Sequence, residues 1–409
     1  MTLPARNTLA VIGAGPVGLE ATVAALEAGF DVHVFERGEP CAHTLAWAHV
    51  RMFSPWSACL GPAATARLRA SGWTPPDAHA TPTGLEFAEC YLQPLAALPE
   101  LKPRVHAHSR VVHVSRRGML KGDDAGAAER AGHPFRLMVR DLGGREHFIH
   151  AFAVIDASGV YGQPNWAGDG GIPARGELYL APQMSYQLDD VLGLRRARYA
   201  GKRTLVVGGG DCAATVVADL AKLATEAPGT AVTWVTREPA EALYAELPGD
   251  PLAARRELYA LARELVRGAN AAVRHVGGAV VDGFQYNSAT HKYTTELMRG
   301  ELPAAEESDQ VIVAAGFGPD NSIYRELQIC ESWITRAPVG VAAKLAAAGG
   351  ASAAPVLDAE ALAHPEPHFY IVGHKSYGRS PHFAIDTGYR QAADVVAKLA
   401  ADLGMAVGR

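Results

Sequence analysis

Nowhere in the chain do two cysteines stand in CxxC spacing: the five cysteines fall at positions 41, 59, 90, 212 and 330. That excludes a dithiol redox centre and a zinc ribbon, and the odd count argues against a disulfide scaffold and for a reducing compartment. Excess positive charge is also missing. Lys and Arg number 38 against 43 Asp and Glu, a net charge of −5, which gives no electrostatic footprint for nucleic acid. No run of 18 uncharged apolar residues exists. The nearest, Val339 to Leu357, is interrupted by Lys344 and broken by Gly349 and Gly350, so no membrane span is expected. Arg6 and Asn7 lead directly into the apolar run Leu9 to Ile12, which reads as a core strand rather than a secretory signal, and a cytoplasmic protein is expected.

Glycine and proline are plentiful. With 42 Gly and 26 Pro they make up about one residue in six, against roughly 12% on average, and imply many tight turns. Hydrophobic residues at 48% and charged residues at 20% exclude a disordered chain. The 409 residues suit two or three domains at roughly 100 to 200 residues each.

The segment Thr8 to Glu36 reads as a complete βαβ unit: strand LAVI, turn GAGPVG, Ala-rich helix LEATVAALEAG, strand DVHVFE. Gly13 makes the tight turn, Gly15 presents no side chain to a pyrophosphate, and Gly18 lets helix and strand pack closely. The helix N-terminus offers N–H groups and a positive dipole end to the phosphates. Glu36, 18 residues after Gly18, ends the second strand, where a carboxylate accepts both ribose hydroxyls.

The pattern recurs from Arg203 to Arg237: strand TLVV, turn GGGDCA with Gly208, Gly210 and Ala213, helix ATVVADLAKLA, strand AVTWVT. A second dinucleotide site is implied. This strand ends in Thr236 and Arg237, and a guanidinium there binds a ribose 2′-phosphate bidentately, which favours NADPH; the alternative is a solvated strand-end arginine. Cys212 opens the second helix, where the dipole can lower a thiol pKa, beside the plainer reading of a small packing residue.

Two further segments, AFAVIDASGVYGQPN (151–165, with Ser158 and Gly159) and DQVIVAAGFGPDNS (309–322), are glycine-punctuated strand ends. Each reads either as a place where the chain passes close to a ligand or as a tight turn. Between Val105 and Phe152, RVHAHSRVVHVSR and FRLMVRDLGGREHFIHAFAVI read as antiparallel strands with a Gly143-Gly144 hairpin turn, joined by the polar loop KGDDAGAAERAG. His106 and His108 share a strand face in this reading. A solvated or core-edge pair accounts for them better than a metal site, because no third ligand is near in sequence. VVDGFQYNSATHKYTTELMRG is a second hairpin, and 341–355 reads as a linker or surface loop.

Together these motifs resemble the two-dinucleotide-binding-domain flavoproteins and, within them, the flavin-containing monooxygenases and their bacterial relatives, over nearly the whole chain. The resemblance implies an α/β fold of two Rossmann-like, three-layer domains, with an NADPH domain (166–317) inserted in a discontinuous FAD domain (1–165 and 318–409). It carries FAD onto Gly13, Gly15, Pro16, Gly18, Glu36 and Arg37, with Ser158, Gly159 and Gly373 near it, and NADPH onto Gly208, Gly210, Asp211, Thr236 and Arg237. LAWAHVRMFSPW (45–56) sits where relatives contact the flavin ring, making Trp47, Arg51 and Met52 candidates, with core packing the alternative for Trp47 and Trp56. No metal is implied.

The implied reaction is NADPH-driven oxygenation of a soft nitrogen or sulfur nucleophile by molecular oxygen through a C4a-(hydro)peroxyflavin. The alternatives are an NADPH-dependent reductase serving a quinone or protein acceptor, and a non-catalytic nucleotide sensor. The sequence departs from the monooxygenase pattern: WAGDGGIPARGELYLAPQMSYQLDD keeps Trp166 and Gly168 but lacks the His of the His-Ser pair. Disulfide reductases carry Gly-Asp at the last strand end, where this chain has Gly373-His374, and the missing CxxC speaks against that class. In the run Gly373 to Phe383, His374, Lys375 and Arg379 are the candidate catalytic residues, His374 for proton transfer and Lys375 or Arg379 to anchor an anion. A solvated loop is the competing reading. The helix AIDTGYRQAADVVAKL is expected to point its N-terminus at the flavin.

Overall fold

The computed structural model describes residues 3–405 apart from 127, 247–248, 349–354 and 356. The chain divides into two units, 1–163 with 318–409, and 164–317.

The first unit opens with β1 (Thr8–Ile12), every residue of which is buried. Gly15 and Pro16 then start α1 (Pro16–Glu27), the proline occupying the first turn, where its missing N–H costs nothing. Next come β2 (Asp31–Phe35), the short helix α2 (Pro62–Ala70) and the two-residue edge strand β3 (Val105–His106). β4 (Arg110–Arg116), β5 (Phe135–Arg140) and β6 (Glu146–Ala151) form a separate antiparallel sheet, and β7 (Ala153–Asp156) returns beside β1 in parallel register, Leu9 facing Ala153.

The second unit repeats the scheme. β8 (Arg203–Val207), α3 (Asp211–Glu226) and β9 (Ala231–Val235) form its βαβ turn, followed by α4 (Ala253–Val266) and β10 (Val273–Val276). A meander of β11 (Val280–Asn287), β12 (Lys292–Arg299) and β13 (Leu302–Ser308) covers the parallel sheet β10-β9-β8-β14, closed by β14 (Gln310–Val313). Alternation sorts the side chains: Val206, Val232, Trp234 and Ile312 pack under α3 and α4, whereas Leu205, Val207, Val311 and Val313 meet Val281, Phe284 and Leu297 of the meander.

On its return, the chain completes the first unit with α5 (Val339–Ala347), β15 (Phe369–Ile371) and α6 (Ile385–Asp402). The parallel sheet runs β15-β7-β1-β2-β3. Leu9, Val11, Val32 and Val34 face α1 and α6, while Ala10, Ile12, Phe35 and Phe369 face Phe135, Leu137 and Val139 of the antiparallel sheet. Each unit is therefore a three-layer α/β structure with a buried parallel sheet. Among the described residues no helix is long and apolar enough to cross a membrane.

Three sequence readings need correcting. Val105 and His106 do not start an antiparallel strand: they pair in parallel with Val34 and Phe35, and the chain turns at His108, whose φ is +52°. His106 then stacks on Phe35 and meets His33 across 3.1 Å, whereas His108 pairs with Glu39. No metal-binding group of three occurs among the described residues. The Ala-rich stretch after residue 338 begins as helix α5, because alanine, leucine and lysine favour helix enough to carry Gly340 in its first turn; residues 349–354 and 356 lie outside the described residues. The polar loop between β4 and β5 contains a buried side chain, Arg130, which grips Glu366 together with Arg116.

Candidate functional site

In the first unit the carboxyl ends of β1, β7 and β15 meet the N-terminal end of α1. Gly13 has φ +100°, and a Cβ there would lie 2.8 Å from the Ala157 carbonyl oxygen; one on Gly18 would collide with the Gly13 carbonyl. Gly15 is different: a Cβ there meets nothing within 4 Å. The loop is thus compressed where it crosses β7 and open where it caps the helix, as a phosphate cradle requires.

Glu36 closes the cradle. Its Oε2 accepts the Ala14 N–H at 2.9 Å and its Oε1 the Gly38 N–H at 2.9 Å; each carboxylate oxygen keeps a lone pair for a further donor, so ribose hydroxyls fit. The neighbouring Arg37 is exposed and hydrogen-bonds His43. Gly159, at φ +68°, also has open space around it, and the Ser158 N–H donates to Asp156 Oδ1 at 3.0 Å.

One buried carboxylate carries no signal in the sequence. Glu20, on α1, accepts the Ala63 and Ala64 N–H groups at 2.8 and 2.9 Å and so caps α2. Burial raises its pKa, and those two N–H groups oppose the rise. No local motif marks Glu20, because its partners lie more than forty positions away.

The 45–56 segment splits. Trp47 packs on Gly84, where a Cβ would lie 2.5 Å from Cε3. Arg51 is exposed and donates to the Thr81 carbonyl at 2.5 Å, and Met52 is half-buried with its N–H on the Pro82 carbonyl. Trp56 is a core residue beside Phe87.

After β15, Gly373 takes φ +71° against Val17 of the α1 turn, and its N–H donates to Gln391 Oε1 at 2.8 Å. The next residues form a single 3₁₀ turn, Gly373–Tyr377. His374 stacks flat on Phe383, ring centroids 5.1 Å apart, and burial pushes its imidazole down to about 4. Lys375 differs from expectation. It is 1% exposed and its Nζ lies 2.6 Å from Asp156 Oδ2 and 3.2 Å from Ser158 Oγ. Its charge is matched within the protein, so it ties β15 to β7 rather than anchoring a free anion. Arg379 is exposed, with its N–H on the Thr335 carbonyl.

The second unit copies the cradle. Gly208 has φ +137° and lies so close to the Ala314 carbonyl that a Cβ would collide with it, while Gly210 meets nothing within 4 Å. Asp211 begins α3 and accepts the Tyr259 hydroxyl at 2.8 Å. Thr236 Oγ1 donates to the Glu238 carbonyl and lies 2.8 Å from His275 Nε2. Arg237 is exposed and is held by the Glu238 carboxylate at 2.7 Å. Cys212 is not activated: burial, with Asp211 adding to it, pushes its thiol up to about 11, which leaves the packing reading.

Fold and glycine loops together define a protein of two Rossmann-type units. Among solved structures the chain is similar to the bacillithiol disulfide reductase Bdr (YpdA) from Bacillus cereus, with TM-score 0.71 and 18% identity over 97% of this chain and 99% of that one. It is also similar to DfoA, the FAD-bound cadaverine monooxygenase of the desferrioxamine pathway from Erwinia amylovora (0.61, 13%, covering 100% and 96%). A third is the Kutzneria sp. 744 ornithine N-hydroxylase KtzI, solved with reduced FAD, NADP+ and L-ornithine (0.61, 16%, covering 98% and 100%). Likeness at these identities shows the fold. No family model matches the chain, and neither does any curated protein sequence.

Proposed function

We propose that the chain is an FAD-dependent, NAD(P)H-consuming oxidoreductase. The observation that carries this reading is the duplicated cradle: Gly13 and Gly208 are pressed against a crossing strand, whereas Gly15 and Gly210 open onto empty space at a helix N-terminus. FAD is assigned to the first unit, on Gly13, Gly15, Pro16, Gly18 and Glu36, with Ser158, Gly159 and Gly373 at the neighbouring strand ends. The nicotinamide coenzyme is assigned to the second unit, on Gly208, Gly210, Asp211, Thr236 and Arg237. The residues named would hold FAD and the nicotinamide coenzyme, which when bound would supply hydride-transfer and electron-carrying chemistry.

The protein's own part is to orient and to shield. The α6 N-terminus favours negative charge developing nearby, and His374, neutral through the physiological range, presents an uncharged imidazole beside Gly373. Our first reading is monooxygenation of an amine nitrogen or a sulfur by molecular oxygen, in keeping with the N-hydroxylases among the structural neighbours. The likeness to a bacillithiol disulfide reductase favours a second reading, reduction of a small-molecule acceptor. The cysteines of the described chain are free thiols, so such a reductase works without a dithiol relay of its own.

One experiment separates these. Purified protein loaded with FAD is given NADPH and oxygen with a panel of diamines, thioethers, quinones and low-molecular-weight disulfides, and the products are read by mass. A product heavier by one oxygen atom supports the first reading, and reduced acceptor without oxygen incorporation supports the second. Failure to retain FAD or to oxidise NAD(P)H with any acceptor removes both.

A further inference from the structure

The second unit's strand end is not free of acid. In the first unit, Glu36 follows β2 directly and its Oε2 reaches Ala14, the middle residue of Gly13-Ala14-Gly15. The equivalent middle residue of the second cradle is Gly209. Glu238, three positions beyond β9, turns back so that its Oε2 lies 3.4 Å from where a Gly209 Cβ would stand. Both carboxylates therefore approach the middle residue of their respective loops from different sequence positions, Glu36 through a hydrogen bond to its N–H and Glu238 on the side where a Cβ would stand.

The other oxygen of Glu238 is also engaged. Oε1 accepts Arg237 Nε at 3.0 Å and Nη2 at 2.7 Å, which occupies the face of the guanidinium that a phosphate would use. The two side chains are 79% and 39% exposed, so a ligand can compete for either.

We infer that Glu238 is the coenzyme-selecting residue of the second unit: it accepts the 2′- and 3′-hydroxyls of the adenosine ribose of NADH and opposes the 2′-phosphate of NADPH. A carboxylate at the end of such a strand hydrogen-bonds a ribose diol, and the same charge repels a phosphate dianion. NADPH must also draw Arg237 away from Glu238, leaving two negative groups side by side. NADH needs no such exchange. The site consequently takes both coenzymes, and Arg237 and Glu238 set the ratio in opposite directions. This rests on the dinucleotide reading given under Proposed function.

The test is calorimetric titration of the FAD-loaded protein with NAD+ and with NADP+, which reads binding without turnover. Wild type is expected to bind both, with affinities within about tenfold. Glu238→Gln removes the charge and one acceptor oxygen, and should tighten NADP+ while weakening NAD+, moving the ratio about tenfold or more towards NADP+. Arg237→Ala should weaken NADP+ by about tenfold or more and leave NAD+ within about twofold. Both positions are exposed, and an unchanged melting temperature will show that the variants fold. If wild type binds both coenzymes and Glu238→Gln leaves their ratio unchanged, the assignment of Glu238 is wrong and the dinucleotide reading survives. If wild type binds neither, the dinucleotide reading fails and takes the assignment with it.

Discussion

Lys375 and Asp156 form an ion pair with Nζ 2.6 Å from Oδ2 and with side chains 1% and 0% exposed. They stand at the carboxyl ends of neighbouring parallel strands, Ile371 of β15 facing Asp156 of β7, and so fix the turn that carries His374 beside the α1 cradle. Lys375 also lies over the Tyr324 ring, 5.0 Å from its centroid.

Breaking a buried pair from one side leaves an uncompensated charge, which typically costs about 3–5 kcal/mol. Lys375→Met and Asp156→Asn should each lower unfolding stability by about that amount, and the double variant should recover a large part of it. Chemical denaturation of all four proteins with equal FAD loading checks this. Losses that add without coupling would show that the two residues do not act as a pair.

Glu36 latches the Ala14 and Gly38 N–H groups, and in the function proposed above it also accepts the adenosine ribose of FAD. Glu36→Gln keeps an acceptor and should weaken FAD by roughly 10-fold, the size of one charge-assisted contact. Glu36→Arg places a cation there and should leave protein without flavin. The flavin-to-protein ratio after gel filtration measures both, and full occupancy in Glu36→Arg would show that the first cradle holds something else.

The two glycine loops were legible because their sequence signature is local. A strand, glycines at fixed offsets and a helix start lie within one short segment, even though the carbonyls that press on Gly13 and Gly208 belong to Ala157 and Ala314, far along the chain. What stayed hidden depends on distant parts of the chain. Arg130 reads as one more charge in a polar loop until the fold brings Glu366 to it, 236 positions away. Lys375 reads as an anion anchor for the same reason, its partner being 219 positions distant. Glu238 was missed differently. The acid that such a motif carries at the strand end itself stands here three positions beyond β9 and approaches Gly209 from there. The pairing of β3 is not legible, because two residues are too few for alternation to distinguish parallel from antiparallel pairing.

His374 gives stability a pH dependence of defined sign. Burial lowers its pKa from 6.5 to about 4 in the folded protein, so between those values the unfolded chain binds a proton that the folded one does not. Stability is then lost as pH falls from about 6.5 to 4, by up to about 3 kcal/mol from this residue. His374→Phe, which keeps a ring against Phe383, should flatten that part of the profile. Denaturation midpoints at pH 7, 6, 5 and 4 for both proteins provide the measurement, and parallel profiles would mean that the imidazole is not desolvated.

The same residue distinguishes a working turn from an inert one, with Arg379 as its counterpart. Both follow β15, but His374 is stacked beside the cradle and Arg379 is exposed at the far end of the turn. If the uncharged imidazole takes part in proton movement at the flavin, His374→Phe should slow either reduction by NADPH or reoxidation by the acceptor by about 10²-fold or more, the typical size of general acid–base assistance. FAD content should stay at the wild-type level. Arg379→Ala should leave reduction unchanged, and should raise KM at constant kcat if it anchors an anionic substrate, because uniform binding is then all that is lost. Stopped-flow measurement of the two half-reactions keeps a binding defect from being mistaken for a chemical one. Should both half-reactions of His374→Phe match wild type, the turn is structural at that position, and the proton-handling group belongs elsewhere in the first unit, with the half-buried segment around Trp47 and Met52 the next to be substituted.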